Sequence, residues 1–126
     1  MTDGITGEEF ARTYIAAWST EDADERRGLV DQLYSEEAEF FAAEPGDAAV
    51  ERRGRTEIFD NISDVNERLT QRSGLATTGT GVSVNHDLLR VSWEMTTADG
   101  GTALRGMNLL TLNIAGMIVR DYIFIG

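Results

Sequence analysis

The chain holds 126 residues, 41% of them hydrophobic, which is enough for one domain (1–126) with a real apolar core and leaves no separate linker to set aside. A formal charge of −11, with all 11 basic residues arginine, opposes nucleic acid and anionic membranes; the one dense basic cluster, Arg52, Arg53 and Arg55, is flanked by Glu51 and Glu57. The absence of cysteine removes disulfides and thiolate chemistry, and a lone histidine, His86, argues against a histidine-based metal site, so no metal and no cofactor is expected.

Met1-Thr2-Asp3-Gly4 lacks the basic and apolar regions of a secretory leader, and no apolar run approaches the roughly 20 residues that span a bilayer. A cytoplasmic protein with no membrane partner is expected. Thr6-Gly7-Glu8-Glu9 has capping-box spacing, and Phe10, Tyr14 and Trp18 recur every four residues, which predicts an amphipathic first helix. After the polar break Ser19-Thr20-Glu21-Asp22, the stripe Leu29, Val30, Leu33 and Tyr34 predicts a second, shorter helix led by acidic residues. Glu39-Phe40-Phe41-Ala42 reads as a short strand and Glu44-Pro45-Gly46-Asp47 as a turn. Gly54 precedes a third helix marked by Ile58, Ile62, Val65 and Leu69.

The period then changes. Val82-Ser83-Val84, 88–97, 102–113 and 117–125 read as strands, with Asn85-His86-Asp87 and Asp99-Gly100-Gly101 as the clearest turns; His86 reads as a solvated loop residue. Three helices covering one face of a curved antiparallel sheet make an α+β fold. Leu89, Val91, Trp93 and Met95 alternate with polar residues, so Trp93 points inward. Leu104, Gly106, Asn108, Leu110 and Leu112 share one face of the next strand, and Met117, Val119, Asp121, Ile123 and Ile125 share one face of the last. A two-residue loop of Ile114 and Ala115 would set Asn108 directly opposite Asp121. The reverse face, with Met107, Leu109, Tyr122 and Phe124, is too apolar for water and predicts a homodimer.

These patterns resemble the nuclear transport factor 2-like superfamily, the cone-shaped α+β fold of ketosteroid isomerase and the SnoaL-like polyketide cyclases. The resemblance runs over nearly the whole chain and is carried by Tyr14-Ile15-Ala16-Ala17-Trp18, Gly54-Arg55-Thr56-Glu57-Ile58, and Gly116-Met117-Ile118-Val119 with Tyr122 and Phe124. It implies fold more strongly than activity, because the superfamily holds isomerases, dehydratases, cyclases, epoxide hydrolases and binders. Tyr14 matches the oxyanion-hole tyrosine of ketosteroid isomerase, and Asn108 stands where its protonated aspartate would be, with an amide that can still donate. At the general-base position this chain has Ala42, with Glu44 reachable only by a short gap. Arg90-Val91-Ser92 lacks the aspartate of the Arg-x-Asp pair used by the epoxide hydrolases.

Asp121 is the one carboxylate that strand parity puts on the inner face of the final hairpin, so it is the candidate proton-transfer residue, with Tyr14 and Asn108 as oxyanion donors. Its bland alternative is a buried ion pair with Arg55 or another donor. Trp18, Phe40, Phe59 and Trp93 are expected to complete an apolar pocket wall. The expected ligand is a small hydrophobic, carbonyl-containing molecule, handled by cofactor-independent isomerase, cyclase or lyase chemistry. The alternative is a non-catalytic ligand-binding or dimerisation module.

Overall fold

The computed structural model describes residues 6–42 and 50–126. The expected turn at Glu44-Pro45-Gly46-Asp47 lies outside them, as does Glu44 as a substitute base. The first helix, α1 (Gly7–Ser19), starts where the capping motif places it: the Thr6 hydroxyl accepts the Glu9 N–H at 3.0 Å. Its inner stripe buries Phe10, Tyr14 and Ala17. In α2 (Ala23–Leu33) the Asp22 carboxylate accepts the N–H groups of Asp24 and Glu25, and the buried side chains are Arg26, Val30 and Leu33.

Tyr34 is not part of α2. It opens β1 (Tyr34–Ala42), a strand longer than its apolar end suggested, which pairs antiparallel with β2 (Val50–Arg53). Arg53, in the basic cluster, bonds Glu39 and Glu51, each at 2.7 Å, so that member's charge is balanced by carboxylates. The third helix, α3 (Gly54–Val65), buries Ile58 and Ile62 and then widens into a π-helical segment, Asn66–Arg72, where the apolar stripe had predicted a continuing α-helix to Leu69.

Strands β3 (Ala76–Asn85), β4 (Leu88–Thr96), β5 (Thr102–Leu112) and β6 (Ile118–Ile125) complete an open six-stranded sheet of order β2-β1-β6-β5-β4-β3. The sheet is mixed rather than antiparallel: β1 runs parallel to β6. That pairing joins segments far apart in the chain and leaves no hairpin signal to read. Helices α1 and α3 pack on β3 and β1, and the core lies between them and the inner sheet face. The structure is thus α+β. Among the described residues, no helix is long and apolar enough to cross a membrane.

The last hairpin departs from the expected register by two residues. Its loop has three residues, Ile114-Ala115-Gly116, closed by the Asn113 N–H to Met117 C=O bond at 2.9 Å, with Gly116 at φ 81°. A bulge then places Val119 outside the ladder, between the pairs Leu112–Ile118 and Thr111–Arg120. Leu110 therefore faces Asp121, and Asn108 faces Ile123. Two single-residue insertions cancel in parity, so Asn108 and Asp121 stay on the inner face. Before the bulge parity does change, and Ile118, not Met117 or Val119, enters the core.

Candidate functional site

Five elements deliver one buried polar cluster. Tyr14 projects from α1 and Tyr34 from the start of β1, and both phenols donate to Asp121 Oδ2 at 2.7 Å. Asn108 on β5, diagonal to Asp121 across the ladder, donates Nδ2–H to Oδ1 at 2.7 Å. Trp93 on β4 donates its indole N–H to Asn108 Oδ1 at 2.8 Å. Because an indole N–H is a donor only, it fixes which end of the amide faces the carboxylate.

Asp121 is 0% exposed. Burial pushes its pKa up from the ordinary 3.8 to about 6, with the hydrogen bonds from Asn108, Tyr14 and Tyr34 holding it from rising further. The phenols of Tyr14 and Tyr34 are driven well above the usual tyrosine range, by burial first and by the facing carboxylate second. The cluster is thus a carboxylate that titrates near neutrality, bonded at 2.7 Å to two hydroxyls that stay protonated.

Tyr34 is the member that the sequence reading missed, since Leu33-Tyr34 continued a helical stripe. Its signal was the inward alternation of Tyr34, Ala38 and Phe40, interrupted by Glu36 and Glu37 at the irregular pairing between Tyr34 and Glu39. Arg55 does not pair with Asp121. Its Nε donates to the Tyr34 backbone carbonyl at 2.8 Å and steadies the strand that carries the phenol.

Beside this cluster lies a cavity of about 420 Å³, between α1, the π-helical segment and the inner sheet face. Tyr14, Trp18, Phe40, Trp93 and Asn108 line it, with Val65, Leu69, Met95, Leu104 and Ile123 extending the apolar wall. Arg52, Asp64 and Arg68 add charge to the lining, the last two bonded to each other at 3.0 Å. Two expected members are absent from the wall. Phe59 packs against the core elsewhere, with the Arg27 guanidinium 5.4 Å from its ring centre, because its position on α3 turns it away from the sheet. Asp121 stands behind Tyr14 and Asn108 rather than in the wall.

Ala42 lines the cavity and offers no base. On two of the wall residues, Trp18 Nε1 and Thr70 Oγ1 are buried away from the cavity surface with no hydrogen-bond partner within 3.5 Å among the described residues. Each costs on the order of 1–3 kcal/mol while unpaired. His86 sits exposed in its turn, away from all of this.

No family profile and no curated protein matches the sequence. Solved structures do match. A SnoaL-like family protein from Agrobacterium tumefaciens, provisionally named an isomerase, shares 25% identity and superimposes with a TM-score of 0.83 over 95% of this chain and 97% of that one. A protein from Sinorhizobium meliloti provisionally named a polyketide cyclase is 14% identical, with a TM-score of 0.66 over 95% of this chain and all of its own (100%). A protein from Catenulispora acidiphila with a ketosteroid isomerase-like fold, solved with trimethylamine, is 15% identical, with a TM-score of 0.68 over 94% of this chain and 86% of its own. This chain has the nuclear transport factor 2-like fold, in the form shared by SnoaL-like and ketosteroid isomerase-like proteins.

Proposed function

We propose that the cavity binds a small, mostly apolar molecule carrying a carbonyl oxygen, and that the Tyr14–Asp121 pair moves a proton on it without a cofactor, in isomerase, cyclase or lyase chemistry. The observation that carries this reading is the bond of 2.7 Å between Tyr14, in the cavity wall, and a fully buried carboxylate that titrates at about 6. Asp121 works through Tyr14 because it does not reach the wall. Tyr14 Oη takes a proton from the carbon beside the carbonyl as its own hydroxyl proton passes to Asp121 Oδ2. The C–H electron pair enters the enolate, whose oxygen accepts the second N–H of Asn108. Tyr14 is neutral before and after, and returning the proton to a different carbon completes an isomerisation. Ionised Asp121 holds the Tyr14 hydroxyl proton toward itself, so the oxyanion donor in this scheme is Asn108 rather than Tyr14.

The test needs no knowledge of the natural substrate. Exchange of the α-protons of 2-decalone in D₂O, followed by NMR, should be catalysed by the parent and rise to a plateau as pH passes about 6, where the base is ionised. Asp121→Asn and Tyr14→Phe should each lose about two orders of magnitude, with ketone binding, read by tryptophan quenching, retained. Binding without exchange would leave the second reading, a non-catalytic binding module. That reading is favoured by Ala42 at the base position and by the three donors that already occupy Asp121. Under either reading we propose a homodimer joined through the outer face of β5 and β6.

A further inference from the structure

The cavity wall carries three charged side chains, and two of them answer each other, since Arg68 bonds Asp64 at 3.0 Å. Arg52 is the third. It lies on the edge strand β2, where alternation turns it inward beside Val50 while its neighbours Glu51 and Arg53 turn outward. The carboxylates of this sheet edge are therefore on the wrong face for it: Arg53 takes both Glu39 and Glu51 at 2.7 Å on the outer side. Half-buried, Arg52 donates to the Glu51 backbone carbonyl at 3.0 Å, and no carboxylate among the described residues pairs with it.

The ladder fixes where Arg52 stands relative to the proton-transfer pair. Phe40 is flanked by Arg52 on β2 and by Asp121 on β6, so the three share one row across the inner face. The next row runs Val50, Ala42, Ile123, Asn108. Two strand spacings, roughly 10 Å, separate the Arg52 and Asp121 backbones. Between them Phe40, Ala42 and Ile123 give the cavity an apolar floor. The wall thus has two polar poles, Tyr14 with Asn108 at one and Arg52 at the other.

Resting on the cavity reading above, we infer that Arg52 anchors a carboxylate on the ligand, which is therefore a mainly apolar keto acid with its carbonyl at Tyr14 and Asn108 and its acid group at the opposite end. A planar guanidinium presents paired N–H groups that match the two oxygens of a carboxylate. A cavity of about 420 Å³ suits a bicyclic body between the two poles.

The test uses three probes with one body, 6-acetyl-2-naphthoate, its methyl ester and 2-acetylnaphthalene, titrated calorimetrically against the parent, Arg52→Gln and Arg53→Gln. Salt is held at about 0.15 M, so that the field of the −11 chain is screened within about 8 Å. The expected result is that the parent binds the acid about tenfold more tightly than the ester. Arg52→Gln should remove that preference and hold 2-acetylnaphthalene at the parent's affinity, which also reports an intact cavity. Arg53→Gln removes the same charge from the next residue, on the other face, and should leave the preference in place. In the parent, with no variant needed, the Arg52 Nε ¹H–¹⁵N signal should move with the acid and stay with 2-acetylnaphthalene. An arginine that only covers the sheet edge with its stem would treat acid and ester alike. Acid bound no more tightly than ester, a preference that survives in Arg52→Gln, or one lost equally in Arg53→Gln overturns the inference and leaves the cavity reading standing. Failure of the parent to bind any probe overturns both.

Discussion

Asp121 keeps an ionisable group where the sheet offers no solvent, and the donors from α1, β1 and β5 are what make that tolerable. Its folded pKa of about 6 lies above its ordinary value, so the folded state binds the extra proton between roughly pH 4 and 6. Stability therefore falls as pH rises through that window, by up to about 3 kcal/mol. Asp121→Asn should abolish this loss, and urea titrations across pH 4 to 7 check it. The same variant replaces one of the two acceptor oxygens by an N–H, which then faces either the Asn108 N–H or the two phenols. Exchanging the two side chains, Asn108→Asp with Asp121→Asn, keeps an acceptor for Trp93, gives one to the new amide, and leaves an amide oxygen for both phenols. The double variant should be more stable than the two single effects add up to, by about 1 kcal/mol or more. Four cluster members, Tyr14, Trp93, Asn108 and Asp121, were legible because helical spacing and strand parity are local rules. Tyr34 was not, since its role is set by where β1 meets β6.

At the scale of elements, the misread places are those where a local period gives way to a tertiary contact. The stripe Ile58, Ile62, Val65 marks α3 correctly, but the widening after Val65 answers to Asn66, whose side chain serves Trp18, Arg26 and Gln71. No periodicity carries that information. Asn66→Ala would strand the Trp18 backbone carbonyl and take one acceptor from buried Arg26, which keeps the Thr20 carbonyl and the Ser63 hydroxyl. It should cost about 2–4 kcal/mol in denaturant titrations and remove hydrogen-exchange protection from 66–72 before the sheet opens. Full protection of that segment in the variant would mean the π-helical turn is held by something other than Asn66. The final hairpin makes the complementary point. Its register was misjudged by two, yet the inner-face assignment of Asn108 and Asp121 survived because an even shift preserves parity.

For the whole molecule, the outer sheet face is the feature that stays unbalanced. Phe124 is 53% exposed, Phe41 stacks on Tyr122 at 5.1 Å, and Met107 and Leu109 lie half-buried between them, all on the side the helices do not cover. The sequence exposed this imbalance because strand alternation made both faces of β5 and β6 apolar. The mixed strand order, by contrast, depends on the long-range β1–β6 pairing and left no trace in it. The apolar face would suit a second copy of the chain, and net charge opposes it, since each copy carries −11. The proposed dimer should therefore tighten as salt rises, the reverse of an interface built on ion pairs. Sedimentation at micromolar concentration should give a dimer at about 0.15 M salt and a tighter one at about 0.5 M. Phe124→Glu, which sets two further charges into the shared face, should yield a folded monomer with unchanged ketone binding in the cavity. A parent that sediments as a monomer at both salt concentrations would remove the homodimer and leave the apolar outer face without that explanation.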